Sequence, residues 1–307
     1  MPIFSSMKKF VTKIILLFAI IAILDCLIGI VMSYVVNHIQ VGGQGRDNYI
    51  CNKAEEDILI FGSSRAVHHY NATMLEDSTG LSCYNCGDDS NGIILSYGRL
   101  MMAKERHQPK IIIQDVEPTY DLFKNDNHKY LGWLKARYER NGIPNIFDEI
   151  DKTEQYKMLC QSYKYNSKFL QNLFVYFTSI AMDTGIKGFR PINAAFDPMK
   201  KSRDTKPEIF EFDPLKIDFI NKFIELSKGA QLVFVVSPMW YGMDTLKVDP
   251  LRNICKQHGI TLLDFSNDSK YVHNNDYFND GIHLNARGAD EFTKDLIKEL
   301  RKRRILE

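Results

Sequence analysis

Four consecutive apolar residues, Ile58 to Phe61, run without interruption into Gly-Ser-Ser-Arg-Ala at 62–66. A strand whose side chains are apolar on both faces belongs in the middle of a parallel sheet, covered by helices above and below. Four further short apolar runs follow, at Leu81–Cys86, Lys110–Val116, Gln231–Val236 and Ile260–Phe265. Helical patterns lie between or after them at 93–104, 214–227 and 245–258. A last helix carries Phe292, Leu296, Ile297 and Leu300 on one face. The expected fold class is therefore α/β: a flavodoxin-like, three-layer α/β/α domain on a five-stranded parallel sheet.

The strand–helix rhythm stops between about 119 and 206, where the chain becomes rich in aromatic residues. This reads as a helical insertion after the third strand, on the edge where ligands of such sheets bind, and it would serve as a lid or a substrate wall. Within it FVYFTSIAM is too short to cross a membrane and is expected to form a buried helix. Its tyrosines and tryptophan are candidates for stacking on sugar rings, against the alternative of ordinary core packing.

From Ile14 to Val36 the chain is almost wholly apolar, with Asp25 its only charge. At about 1.5 Å per residue such a helix spans about 35 Å, enough for the hydrocarbon core of a bilayer. Lys8, Lys9 and Lys13 precede it, which places residues 1–13 in the cytoplasm and the domain outside. A cleaved signal or a lipoprotein signal at Cys26 fits less well: no small-residue cleavage site follows, and Asp25 occupies a position that needs a small residue. Asp25 in mid-span is costly and points to a membrane partner or a water-lined contact. Residues 37–56, polar and glycine-containing, read as a short tether, leaving 57–307 as the domain.

Composition excludes other classes. With 45% hydrophobic and 25% charged residues the chain is globular rather than disordered. Without the lysines and aspartate of the anchor segment its net charge is −1, so it has no basic footprint for nucleic acid. Phosphate-binding glycine loops, dinucleotide fingerprints and HExxH are absent, so no cofactor or metal is expected. Cys26 lies in the anchor and leaves an odd set, Cys51, Cys83, Cys86, Cys160 and Cys255, whose disulfide status the sequence leaves open. Cys83 and Cys86 share a strand that points them to opposite faces. His68 and His69 read as packing or solvent-facing residues.

Gly62 allows a sharp turn after the first strand, and Ser64 then stands at a strand's carboxyl end as a candidate nucleophile. Asp280-Gly-Ile-His283 lies before the last helix, spaced so that the carboxylate can orient the imidazole while the imidazole takes a proton from a serine. Gly87, ending the second strand, offers a close backbone N–H to a reacting oxygen. The α/β-hydrolase elbow is not matched, because Ala66 stands where its second glycine belongs.

FGSSRA, Gly87 and DGIHLNARGADEF together resemble the blocks of the SGNH hydrolase superfamily, the GDSL-type esterases. With YKYNSKF and KGFRP they resemble a bacterial membrane-anchored group within it. Ser63 replaces the usual aspartate of the first block. The resemblance implies a catalytic set of Ser64, Asp280 and His283. It also implies an oxyanion hole from Ser64 N–H and Gly87 N–H, with Asn91 as a third donor. The third block departs: Glu117 stands where the family places an asparagine, and losing one such donor costs on the order of 3 kcal/mol. Two functions are implied. One is an esterase or O-acyl transferase acting outside the cytoplasmic membrane on acylated glycans or small esters. The other is a catalytically weak or inactive protein of glycan binding or envelope assembly.

Overall fold

The computed structural model describes residues 2–180, 185–198 and 210–306, with side chains described from residue 7. The parts of the expected insertion at 181–184 and 199–206 lie outside the described residues, including the end of FVYFTSIAM.

Helix α1 (Pro2–His38) is followed by α2 (Gly42–Asn52), β1 (Ile58–Phe61), α3 (Ser64–His69), α4 (Ala72–Thr79), β2 (Cys83–Asn85), α5 (Ile93–Lys104) and β3 (Ile111–Asp115). The insertion brings α6 (Pro118–Asp121), α7 (Ile143–Ile150), α8 (Glu154–Lys157) and α9 (Phe169–Thr178), with 3-10 turns between them. The rhythm resumes with α10 (Pro214–Leu226), β4 (Gln231–Val236), α11 (Asp249–His258), β5 (Thr261–Asp264) and α12 (Ala286–Lys302). All five strands are parallel, in the order β2-β1-β3-β4-β5. The expected flavodoxin-like α/β/α class is what the chain adopts.

The consecutive apolar runs serve both faces at once. Leu59, Phe61, Ile112, Phe234 and Val236 pack towards α5, α10 and α11. Ile58, Ile60, Ile113, Val233 and Val235 pack towards α3, α4 and α12, where Phe292, Leu296 and Leu300 supply the facing layer. Every residue of β1 and β3 is buried, which is why neither alternates. The strand order reverses between β1 and β3, so the crevice at their carboxyl ends is the place such a sheet offers to a ligand.

Three expectations need correction. The tether does not exist as such: residues 42–52 form α2, with Ile50 and Cys51 fully buried. Asn48 Nδ2 donates to Val36 O and Ile39 O, both at 2.7 Å, capping the carbonyl end of α1, and Asp47 pairs with Arg99 at 3.1 Å. These long-range contacts hold a helix that composition alone disfavours. Second, α9 is not buried: Leu170, Phe174 and Phe177 are 77%, 56% and 77% exposed, because only one side of it packs on α1. Third, Asp25, expected to point to a membrane partner or a water-lined contact, meets this chain's own insertion. It accepts from Gln161 N at 2.6 Å and Ser162 N at 2.8 Å.

Within α1, Met7–His38 is long and apolar enough to cross a membrane, and little of its most apolar stretch is buried. All six cysteines are free, and Cys83 and Cys86 do fall in the two opposite core layers.

Candidate active site

β1 delivers the chain to Gly62, whose φ of 142° lies in the region that favours glycine and where a Cβ would meet Asp115 O at 2.7 Å. Ser63 then caps α3, its hydroxyl accepting from Arg65 N at 3.4 Å, and Ser64 becomes the first residue of that helix. β5 lies at the far edge of the sheet, so the segment after it must return across the strand ends to reach Ser64. Cross-links hold it there: His273 N donates to Trp240 O at 2.8 Å, Trp240 N to Gly281 O at 3.2 Å, and Leu284 N to His69 Nε2 at 3.0 Å.

The structure brings Ser64, His283 and Asp280 together. Ser64 Oγ lies 2.8 Å from His283 Nε2, and His283 Nδ1 lies 3.0 Å from Asp280 Oδ2. A proton on Nδ1 directed at the carboxylate leaves the Nε2 lone pair for the serine hydroxyl. The three-residue spacing works because Asp280 also caps its own turn, accepting from Ile282 N and His283 N, each at 2.8 Å. Burial pushes the Asp280 carboxyl up, but the His283 contact and those two N–H groups outweigh it and hold it down at about 2.

Behind the triad lies a polar network that the sequence reading did not find. Arg65 is fully buried, donating to Ser237 Oγ at 2.9 Å and Ser237 O at 2.7 Å, with Asp115 3.6 Å from its Nε. Tyr70 donates its hydroxyl to Asp115 at 2.7 Å. His69 lies 3.0 Å from Ser237 Oγ through Nδ1 and accepts the Leu284 N–H through Nε2, which fixes it neutral with the proton on Nδ1. Burial, then the Arg65 charge, keeps its pKa well below the usual imidazole range. His68, four residues after Ser64 and so on the same side of α3, packs edge-on against His283 with ring centroids 5.6 Å apart. That i, i+4 spacing was the available signal. The Arg65–Asp115 pair gave none, since it joins residues fifty positions apart.

The expected oxyanion donors fare unequally. Ser64 N–H stands at the first turn of α3. Gly87 N–H donates to Asn85 Oδ1 at 3.1 Å, and a Cβ at Gly87 would lie 2.7 Å from that of Ala66, so the close approach of α3 already accounts for this glycine. Asn91 turns its amide to Asp89 O at 2.9 Å instead of folding back towards Ser64. Glu117 caps α6, accepting from Tyr120 N and Thr119 Oγ1 at 3.1 Å each, and desolvation pushes its carboxyl up.

The insertion's return segment, 185–198, passes along this edge. Asn85 N donates to Lys187 O at 2.9 Å, Arg190 N to Val67 O at 3.0 Å, and Arg190 pairs with Asp89. Phe196 stacks on Trp240 with centroids 5.1 Å apart, beside the segment that carries Asp280. By contrast Trp133 packs inside the insertion under Lys168, and Tyr130 is buried, so neither offers a ring to a sugar. Elsewhere His128, Asp151 and Glu154 form a grouping able to hold a metal ion, but Lys157 Nζ already sits 2.6 Å from Glu154.

No family model matches the chain, and no curated protein matches it.

Proposed function

We propose that this chain is a serine esterase or O-acyl transferase of the SGNH type, anchored by α1 with its domain outside the cytoplasmic membrane. The observation that carries the reading is the unbroken hydrogen-bond chain from Ser64 through His283 to Asp280. In this mechanism Ser64 Oγ attacks the acyl carbonyl carbon while His283 Nε2 takes the hydroxyl proton. The tetrahedral intermediate collapses as His283 returns that proton to the leaving alcohol, and the acyl group stays on Ser64. Water or a sugar hydroxyl then attacks the acyl-enzyme, again deprotonated by His283, and Ser64 recovers its proton. Asp280 keeps the imidazole in the working tautomer and stabilises its cation. Support for a glycan substrate comes from the stacked Phe196 and Trp240 on the rim, a surface suited to the apolar face of a sugar ring. The three lysines in the first turns of α1, ahead of its apolar run, support the orientation.

A second reading, a binding or assembly protein that keeps the fold without turnover, is favoured by the oxyanion side. Gly87 N–H is engaged by Asn85, and a carboxylate, Glu117, stands in the third block. A fluorophosphonate probe on the detergent-purified full chain separates the two. Labelling of the wild type and none of Ser64→Ala is expected. A wild type inert to the probe and to acyl esters would give the second reading the field.

A further inference from the structure

A second site is built where α1 meets the insertion. A cavity of about 910 Å³ lies there, bordered on α1 by Cys26, Ile30 and Tyr34 and on the insertion by Lys135, Arg140 and Lys164. At its Asn37 end stands Arg137, only 5% exposed. Its Nη1 donates to Asn37 Oδ1 at 2.7 Å and its Nη2 to Asn48, while its Nε has no hydrogen-bond partner among the described residues. Lys164 is 8% exposed, and its carboxylate neighbour at 2.5 Å, Glu139, is itself 80% exposed. A carboxylate so well solvated is readily exchanged for another anion. The charged side chains of the lining, Lys135, Arg137, Glu139, Arg140 and Lys164, leave it net positive, with Asp47 and Glu105 behind two of the arginines.

The cavity is polarised along α1. Its cationic end adjoins Asn37 and His38, while its other end runs down to Cys26 and Ile30 beside the exposed Leu27 and Val31. With the span at Ile14–Val36, as the apolar run reads, the cationic end beside Asn37 and His38 falls at the level of a headgroup and the other end at the level of acyl chains. The exposed Leu170, Phe174 and Phe177 of α9 extend the apolar surface of α1 alongside. Asp25 fixes this geometry by holding the 160–162 segment against the helix, and Gly29 permits it, since a Cβ there would lie 2.5 Å from that of Gln161.

We propose that this groove binds an anionic phospholipid of the surrounding leaflet. The phosphodiester sits among Lys135, Arg137, Arg140 and Lys164, where charge-assisted hydrogen bonds hold it, and the acyl chains lie along α1 and α9. The proposal rests on membrane anchoring and not on the triad. It is tested on the full chain in neutral detergent, by native mass spectrometry after adding phosphatidylglycerol or phosphatidylcholine. Phosphatidylglycerol should be retained at least about tenfold better. Lys135→Gln, at a half-buried position, should reduce that preference several-fold, and Lys135→Gln with Lys164→Gln should abolish it. A thermal melt checks that each variant is folded. Equal retention of the two lipids, no retained lipid, or folded variants that keep the wild-type preference would overturn the proposal. Competition by glycerophosphoglycerol as strong as by intact lipid would also overturn it, since the site would then take a soluble phosphodiester.

Discussion

The carboxyl edge of β1 and the seam between α1 and the insertion solve opposite problems. At the first, Arg65, His69 and Asp115 are fully buried and point their polar atoms inward to one another. At the second, Ile30, Leu170 and Phe177 are at least 68% exposed and point apolar atoms outward. Although Arg65 Nη1 and Asp115 Oδ2 have no hydrogen-bond partner among the described residues, the bonds to Ser237 and Tyr70 tie α3, β3 and the end of β4 together, which suits a site that must hold a serine and a histidine in register. Exposed apolar stripes of that size mark a surface that meets an apolar neighbour, protein or lipid, so the second region is completed from outside the domain.

The largest break between the regions should come from the triad. His283→Ala should cost about 10⁴-fold or more in turnover of an acyl ester, close to the loss from removing Ser64, because the two act as one unit. Asp280→Asn should cost fewer decades, since the imidazole remains with a poorer orienting partner. Single-turnover kinetics on one ester would read both. A loss confined to KM would show that these residues only bind.

Next in size is the buried pair. Arg65→Met leaves Asp115 without its cation, although Tyr70 and Ser237 N still donate to it, and should destabilise the domain by about 3 kcal/mol. Urea unfolding gives the value. Because Arg65 adjoins Ser64, probe labelling should slow as well, and full stability in this variant would mean the network does not hold the edge together.

Asp25→Ala tests the other region. It removes the acceptor of two backbone N–H groups, a loss of roughly 1–3 kcal/mol. The effect should be local: faster hydrogen exchange at Gln161 and Ser162 with little change in the unfolding of the sheet. A global loss as large as that of Arg65→Met would show the seam to be part of the core, and the contrast between the regions would fall.

The contrast also separates what was legible in the sequence from what was not. The strands could be read because a strand buried on both faces leaves a continuous apolar signature, Ser64 because a glycine turn places it at a strand's carboxyl end, and the Asp280–His283 contact because the Asp-x-x-His turn is compact. α2 was hidden, since Gly42, Gly43 and Gly45 read as flexible chain. Yet a Cβ at Gly45 would meet Gln40 O at 2.5 Å, so at least this glycine serves close approach to the end of α1. α9 was misjudged because an apolar stripe specifies an apolar neighbour without saying whether it is protein or lipid. The network of Arg65, Asp115, Ser237 and His69 joins residues brought together only by the sheet, and no local pattern carries it.

The smallest expected effect is the most specific to that network. His69 is fully buried and held neutral: it accepts the Leu284 N–H, and burial with the nearby Arg65 charge keeps its pKa well below its ordinary value of 6.5. In the unfolded chain it protonates near 6.5, so below that pH the unfolded state binds a proton that the folded state refuses. The sign follows: this contribution to stability is full above about 6.5 and is lost as pH falls, by up to about 1.4 kcal/mol for each unit below. His69→Gln has no such titration and should flatten that part of the profile between pH 7.5 and 5.5, while its amide can still accept from Leu284 N. Chemical unfolding of both proteins at the two pH values measures the difference. If His69→Gln keeps the wild-type slope, His69 titrates alike in both states, and the inward-facing network is not the closed unit that separates this edge from the seam.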